Sequence, residues 1–122
     1  MEKLILFLQT TVALGLLNVW LLRFNDSTPY RGAGSKNLRE EFKVYGLATW
    51  VLYLIGVLKI GSALALIAGI WVPSLVAPAA TIITFLMIGA IFMHIRVRDP
   101  LVKSLPATFM LVLGITISLL AA

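Results

Sequence analysis

Long apolar runs alternate with polar connections along this chain. Four runs stand out, at about 4–22, 47–70, 75–95 and 105–122. Each is close to the ~20 residues needed to cross about 30 Å of hydrocarbon. The pattern predicts an all-α, polytopic membrane protein. Its expected architecture is an antiparallel four-transmembrane-helix bundle forming one domain over 1–122. The first run opens like a signal peptide, but it outlasts an h-region and no A-x-A site follows. It is therefore read as a retained membrane helix. Pro78 and Pro106 fall in the first turns of the third and fourth runs, where amides lack intrahelical partners.

The polar segment 23–46 has two parts. "NDSTPYRGAGS" is rich in turn formers. "SKNLREEFKVYG" predicts a short amphipathic helix. Asn37 is placed to cap it, with Glu40 three residues on as in a capping box. Leu38, Phe42 and Tyr45 share one face, and Gly46 is placed to end the helix. Such a helix lies at the membrane interface or folds over the mouth of the bundle.

Composition sharpens this picture. The chain is 61% hydrophobic and only 12% charged, with a mean hydropathy of +1.03. That leaves too little charged surface for a soluble domain. There are no cysteines, which excludes disulfides and thiolate metal sites. The single histidine, His94, cannot by itself supply a bis-histidine haem or a multi-histidine metal site. No metal centre or covalently bound cofactor is expected.

The formal charge of +5 sits mainly in connections. The first loop carries Arg23, Arg31, Lys36, Arg39 and Lys43, and the third carries Arg96, Arg98 and Lys103. The opposite side has Lys3 alone. This bias is read as a topology signal beside membrane lipid and not as a nucleic-acid surface. It places loops 23–46 and 96–104 in the cytoplasm and both termini outside.

Lys59 breaks the pattern. It lies about twelve residues from each end of its apolar run, roughly 18 Å at 1.5 Å per residue, too far to snorkel. Facing lipid would cost several kcal/mol, so the ammonium is expected to face the bundle interior. Gln9, Thr10, Thr11, Thr81, Thr84, Thr116 and Ser118 fall at comparable depth and form a candidate polar tier around it. Their hydroxyls could equally bond their own helices.

No acid lies in any run, so a counter-charge would have to come from Glu40 or Glu41 folding inward, with Tyr45 beside them as a gate. Asn18, Tyr53, His94 and Thr108 form a second tier nearer the basic loops. There His94 either is solvated at the interface or faces inward as a hydrogen-bonding or proton-relaying group. Gly56, Ser62 and Ala63 share the Lys59 face and leave room for a ligand. Gly61, Ala65 and Gly69 form a small-residue stripe that suits helix packing.

These positions give Lys59, His94, Tyr53, Asn18, Thr11 and Thr84 as candidate ligand-binding residues. The expected ligand is a small amphipathic or quinone-like molecule, or a lipid. A redox-system subunit, an assembly subunit and a small carrier or enzyme for a lipophilic substrate are the functions compatible with them. A homodimer or a redox or other membrane partner protein fits each.

The stretches "STPYRGAGSKNLREEFKVYGL", "GVLKIGSALALIAGIWVPSL" and "MIGAIFMHIRVRDPLVKSLPA" resemble the DoxX-like proteins in order and spacing. The likeness rests on Tyr45-Gly46, on Gly56 and Lys59, on Gly69-Ile70-Trp71, and on the run from His94 to Pro100. It implies a four-helix bundle in the bacterial inner membrane. It also implies kinship with a subunit of a thiosulfate:quinone oxidoreductase and with proteins that accompany redox or detoxification systems. Some of these relatives have an acid near the position of Lys59, so a lysine here changes the chemistry that the resemblance would carry over.

Overall fold

The computed structural model describes residues 2–121. Its helices are α1 (Glu2–Leu17), α2 (Leu38–Val44), α3 (Thr49–Ala68), α4 (Val76–Arg96) and α5 (Leu105–Ala121). No strand occurs among the described residues. Four helical stretches are long and apolar enough to cross a membrane: Glu2–Leu22, Thr49–Ala68, Pro73–Arg96 and Leu101–Ala121. The helices pack in a ring, α1 against α3 and α5, and α4 against α3 and α5.

The surface supports the same reading. Phe7, Trp50, Phe85 and Leu119 are among many large apolar side chains that stand exposed. An exposed shell of this kind is stable only where the surroundings are themselves hydrocarbon.

Two apolar cores fill the bundle. The larger lies between the four spans, with Val12, Leu16, Leu66, Ile83 and Ile117 buried. The smaller joins Trp20, Leu38, Phe42 and Leu52 beneath the 23–46 loop. The first span reaches this second core through a change of pitch. After Leu17 the chain makes a π-helical turn, Asn18–Leu22, and the Arg23 amide donates to the Asn18 carbonyl at 2.9 Å. A π-turn inserts a residue into the helical repeat and re-aims the side chains around it. Trp20 is the buried residue of this turn.

Helix α2 forms as the sequence predicts. The Asn37 side chain accepts from the Glu40 amide at 2.9 Å. At the other end Gly46 has a φ of +76°, a conformation that costs glycine no steric strain. The Gly46 amide donates to Lys43 and the Leu47 amide to Phe42, both at 3.0 Å. These are the two bonds of a Schellman cap, which satisfies carbonyls that would otherwise lack partners. Leu38, Phe42 and Tyr45 are all buried, so the predicted apolar face packs down onto the bundle.

Candidate functional site

Lys59 projects from α3 beside Trp20. Its Nζ lies 5.2 Å from the Trp20 ring centroid, within the range of a cation–π contact. Gly56, one turn earlier, makes this approach possible. A Cβ there would stand 3.0–3.1 Å from the Trp20 ring carbons. Neither ion pair among the described residues includes Lys59. The buried acid of α2, Glu41, is paired with Arg31 instead.

Trp20 also forms a wall of an open groove of about 400 Å³. Phe24 and Tyr53 stand at one end of it, and Gly56, Gly61 and Leu64 continue it along α3. Small residues at 56 and 61 shape this hollow. Gly61 faces open space, with nothing within 4 Å of where a Cβ would be.

A second constellation caps the bundle at the 23–46 end. Arg31 is 4% exposed and is satisfied almost entirely by backbone. One of its terminal nitrogens donates to the Arg23 carbonyl at 2.6 Å and to the Asp26 carbonyl at 3.2 Å, and its Nε donates to Asp26 as well. Glu41 lies 3.9 Å from the guanidinium and accepts from the Gly32 amide. From the far side, His94 Nδ1 and Asp99 Oδ2 stand 2.8 Å apart. The Ala33 amide donates to Asp99 Oδ1 at 2.8 Å, and Lys103 Nζ donates to the Arg31 carbonyl at 2.7 Å. The loop between α4 and α5 is thereby fastened to the loop before α2.

Electrostatics follow from this geometry. Burial alone would push the Asp99 carboxyl up. The hydrogen bonds from His94 and the Ala33 amide outweigh it, aided by the charges of His94 and Lys103, and hold the group below its ordinary range. An ionised carboxylate only accepts, so His94 Nδ1 carries the proton between them. Tyr45 sits in the same cluster, its ring 6.0 Å from that of His94 in edge-to-face geometry. Burial pushes its phenol up, and the negative charges of Glu41 and Asp99 push it further. Tyr45 is therefore a neutral donor at any ordinary pH.

The sequence-derived site residues fall into distinct places. Lys59 is inside the bundle wall, and His94, Glu41 and Tyr45 meet in the loop cap. The hydroxyls do not gather around Lys59. Thr11, Thr81, Thr84, Thr116 and Ser118 each donate to the carbonyl four residues back, at 2.8–2.9 Å. A helical hydroxyl always has this acceptor at hand, and although its lone pairs could still accept from an ammonium, no hydrogen bond among the described residues joins one of these hydroxyls to Lys59. Gln9 is buried but bonds the Leu66 carbonyl at 2.7 Å.

Asn18, Tyr53 and Thr108 point outward, so the tier expected with His94 is not assembled. Glu40 also faces out, and its contribution is the amide that Asn37 caps. Sequence reasoning treated Arg31 and Lys103 as topology charges, gave Asp99 no role, and missed that the three lock two loops together. The available signal was the lone acid among Arg96, Arg98 and Lys103, just past the end of the helix that carries His94.

Four membrane-length helices and a polar loop cap define a small multi-pass membrane protein. The sequence pattern of the DoxX-like family matches residues 30–117, and the chain belongs to that family. The match includes Arg31, Glu41, Lys59, His94 and Asp99. The chain is also similar to the uncharacterized protein YdgD of Bacillus subtilis (strain 168). The two are 34% identical over 79 residues, covering 64% of this chain and 69% of that protein. No solved structure matches.

Proposed function

We propose that this protein is an inner-membrane binding module for a small amphipathic ligand. The observation that carries the reading is Lys59, an ammonium in a membrane span whose close partner is an aromatic ring and which belongs to neither ion pair. A cation so placed is expensive unless something polar shares its surroundings. Trp20 connects it to an apolar groove that suits a hydrocarbon tail. The head of the ligand accepts a hydrogen bond from Lys59, and the carbonyls of a quinone-like molecule meet that requirement.

A place beside a redox system follows from such a ligand, with electrons supplied by the ligand or by a partner protein. The basic loops face the cytoplasm in this reading, and the loop cap closes that end of the bundle. Mass spectrometry of the intact protein beside its Lys59→Met variant tests the proposal. An adduct lost in the variant supports it. Equal behaviour of the two forms assigns the protein instead to an assembly role.

A further inference from the structure

The ligand class can be narrowed by the cation at the open end of the groove, an inference that rests on the reading just given. We propose that the groove is a phospholipid seat, with one acyl chain lying along α3 and an anionic phosphate head held by Arg39.

Arg39 projects from α2 and is exposed. Its guanidinium carbon lies 5.6 Å from the Phe24 ring centroid and 5.5 Å from that of Tyr53. Both rings line the groove. A guanidinium held on two aromatic faces is fixed in place, while its N–H edges remain free for an oxyanion. Neither ion pair among the described residues includes Arg39. No carboxylate lines the groove.

Charge and hydrophobicity therefore change along the groove as they do along a phospholipid. The cation stands at the mouth beside Tyr53. Below it the lining is apolar to Leu64, about 16 Å further at 1.5 Å per residue. Lys59 is six residues beyond Tyr53, about 9 Å deeper on the same scale. Its ammonium lies on the Trp20 ring and does not itself line the groove, so the head of the lipid is held at the mouth by Arg39. A free phosphate would satisfy Arg39 but leave the groove empty. An uncharged amphiphile would fill the groove but leave Arg39 without a counter-ion.

The test is lipid retention by the detergent-purified full chain, read by native mass spectrometry. The probes are phosphatidylglycerol, a diacylglycerol with the same chains, and glycerol phosphate. Phosphatidylglycerol should be retained and the other two should not. Arg39→Gln should lower its retention about tenfold, the scale of one charge-assisted hydrogen bond. Arg39→Lys should fall between the two, because it keeps the charge and loses the planar stacking.

Gly61→Leu adds a side chain whose Cβ meets no protein atom within 4 Å and should also displace the lipid while leaving the circular dichroism unchanged. Equal retention of diacylglycerol, binding of glycerol phosphate alone, or indifference to Arg39→Gln or Gly61→Leu would each overturn the proposal. A co-purified amphiphile that depends on Lys59 but not on Arg39 would overturn it and leave the broader ligand reading in place.

Discussion

The side-chain amide of Gln9 donates to the main-chain carbonyl of Leu66 at 2.7 Å, across the interface between α1 and α3. That carbonyl needs a partner. In a continuing helix the Ile70 amide would bond it, but here the Ile70 amide turns to Ile67 at 3.1 Å. A helix ending inside the bundle leaves such orphans, and Gln9, 1% exposed, satisfies this one. Gln9→Leu should destabilise the protein by about 1–3 kcal/mol, the cost of an unsatisfied buried acceptor. Thermal unfolding in one fixed detergent measures it. An unchanged midpoint would show that the carbonyl finds another donor.

Asp99 ties three elements together through His94 and the Ala33 amide. Asp99→Ala should cost about 1–3 kcal/mol, and Asp99→Asn should cost less because it keeps an acceptor for Ala33. The carboxyl is held below its ordinary value of 3.8 in the folded protein. Its contribution is therefore fully present above that value and is lost as pH falls through the lower folded value. Unfolding followed between pH 6 and 2, wild type beside Asp99→Asn, should show the wild type converging on the variant at the acid end. Parallel curves would contradict this.

Tyr45 has the opposite sign. Its phenol is raised above the ordinary value of 10.0, so its contribution is complete below that pH and declines as pH rises above it. Tyr45→Phe should cost about 1 kcal/mol at neutral pH and should flatten the alkaline loss of stability seen in the wild type. A variant that unfolds in alkali as steeply as the wild type would assign that loss to another group.

Gly32 is closed off by the same ring. A Cβ there would stand 2.6–2.8 Å from Tyr45 atoms, and the ring is buried with nowhere to retreat. Gly32→Ala should cost about 1–3 kcal/mol through overpacking. It should also loosen the loop cap, seen as faster proteolysis within 23–46. Gly61→Ala, which meets nothing, is the control and should be neutral or slightly stabilising.

These predictions show what was legible in the sequence. The four spans, the capped α2 and its inward stripe all follow from local rules. Apolar length, an Asn37 cap and a Gly46 terminus act over one helix at a time. The loop cap did not follow, because it joins Ala33 to Asp99 and Arg31 to Lys103, pairs far apart in sequence. No periodicity encodes such contacts. The tier of hydroxyls was misplaced for the reverse reason. Depth along a helix can be counted, but which way Thr84 faces, with its hydroxyl bonded to its own Ala80 carbonyl, is decided by how the helices pack. The π-turn was also invisible, since "NVWLL" reads as ordinary helix. Without it the rotation of Trp20 toward Lys59 cannot be inferred.

The central claim is that Lys59 serves a bound amphiphile. Native mass spectrometry of the detergent-purified protein, wild type beside Lys59→Met, tests it most directly. The account predicts an amphipathic adduct on the wild type that the equally well-folded variant has lost. The same adduct on both forms, or none on either, would contradict it and leave Lys59 as a packing partner of Trp20.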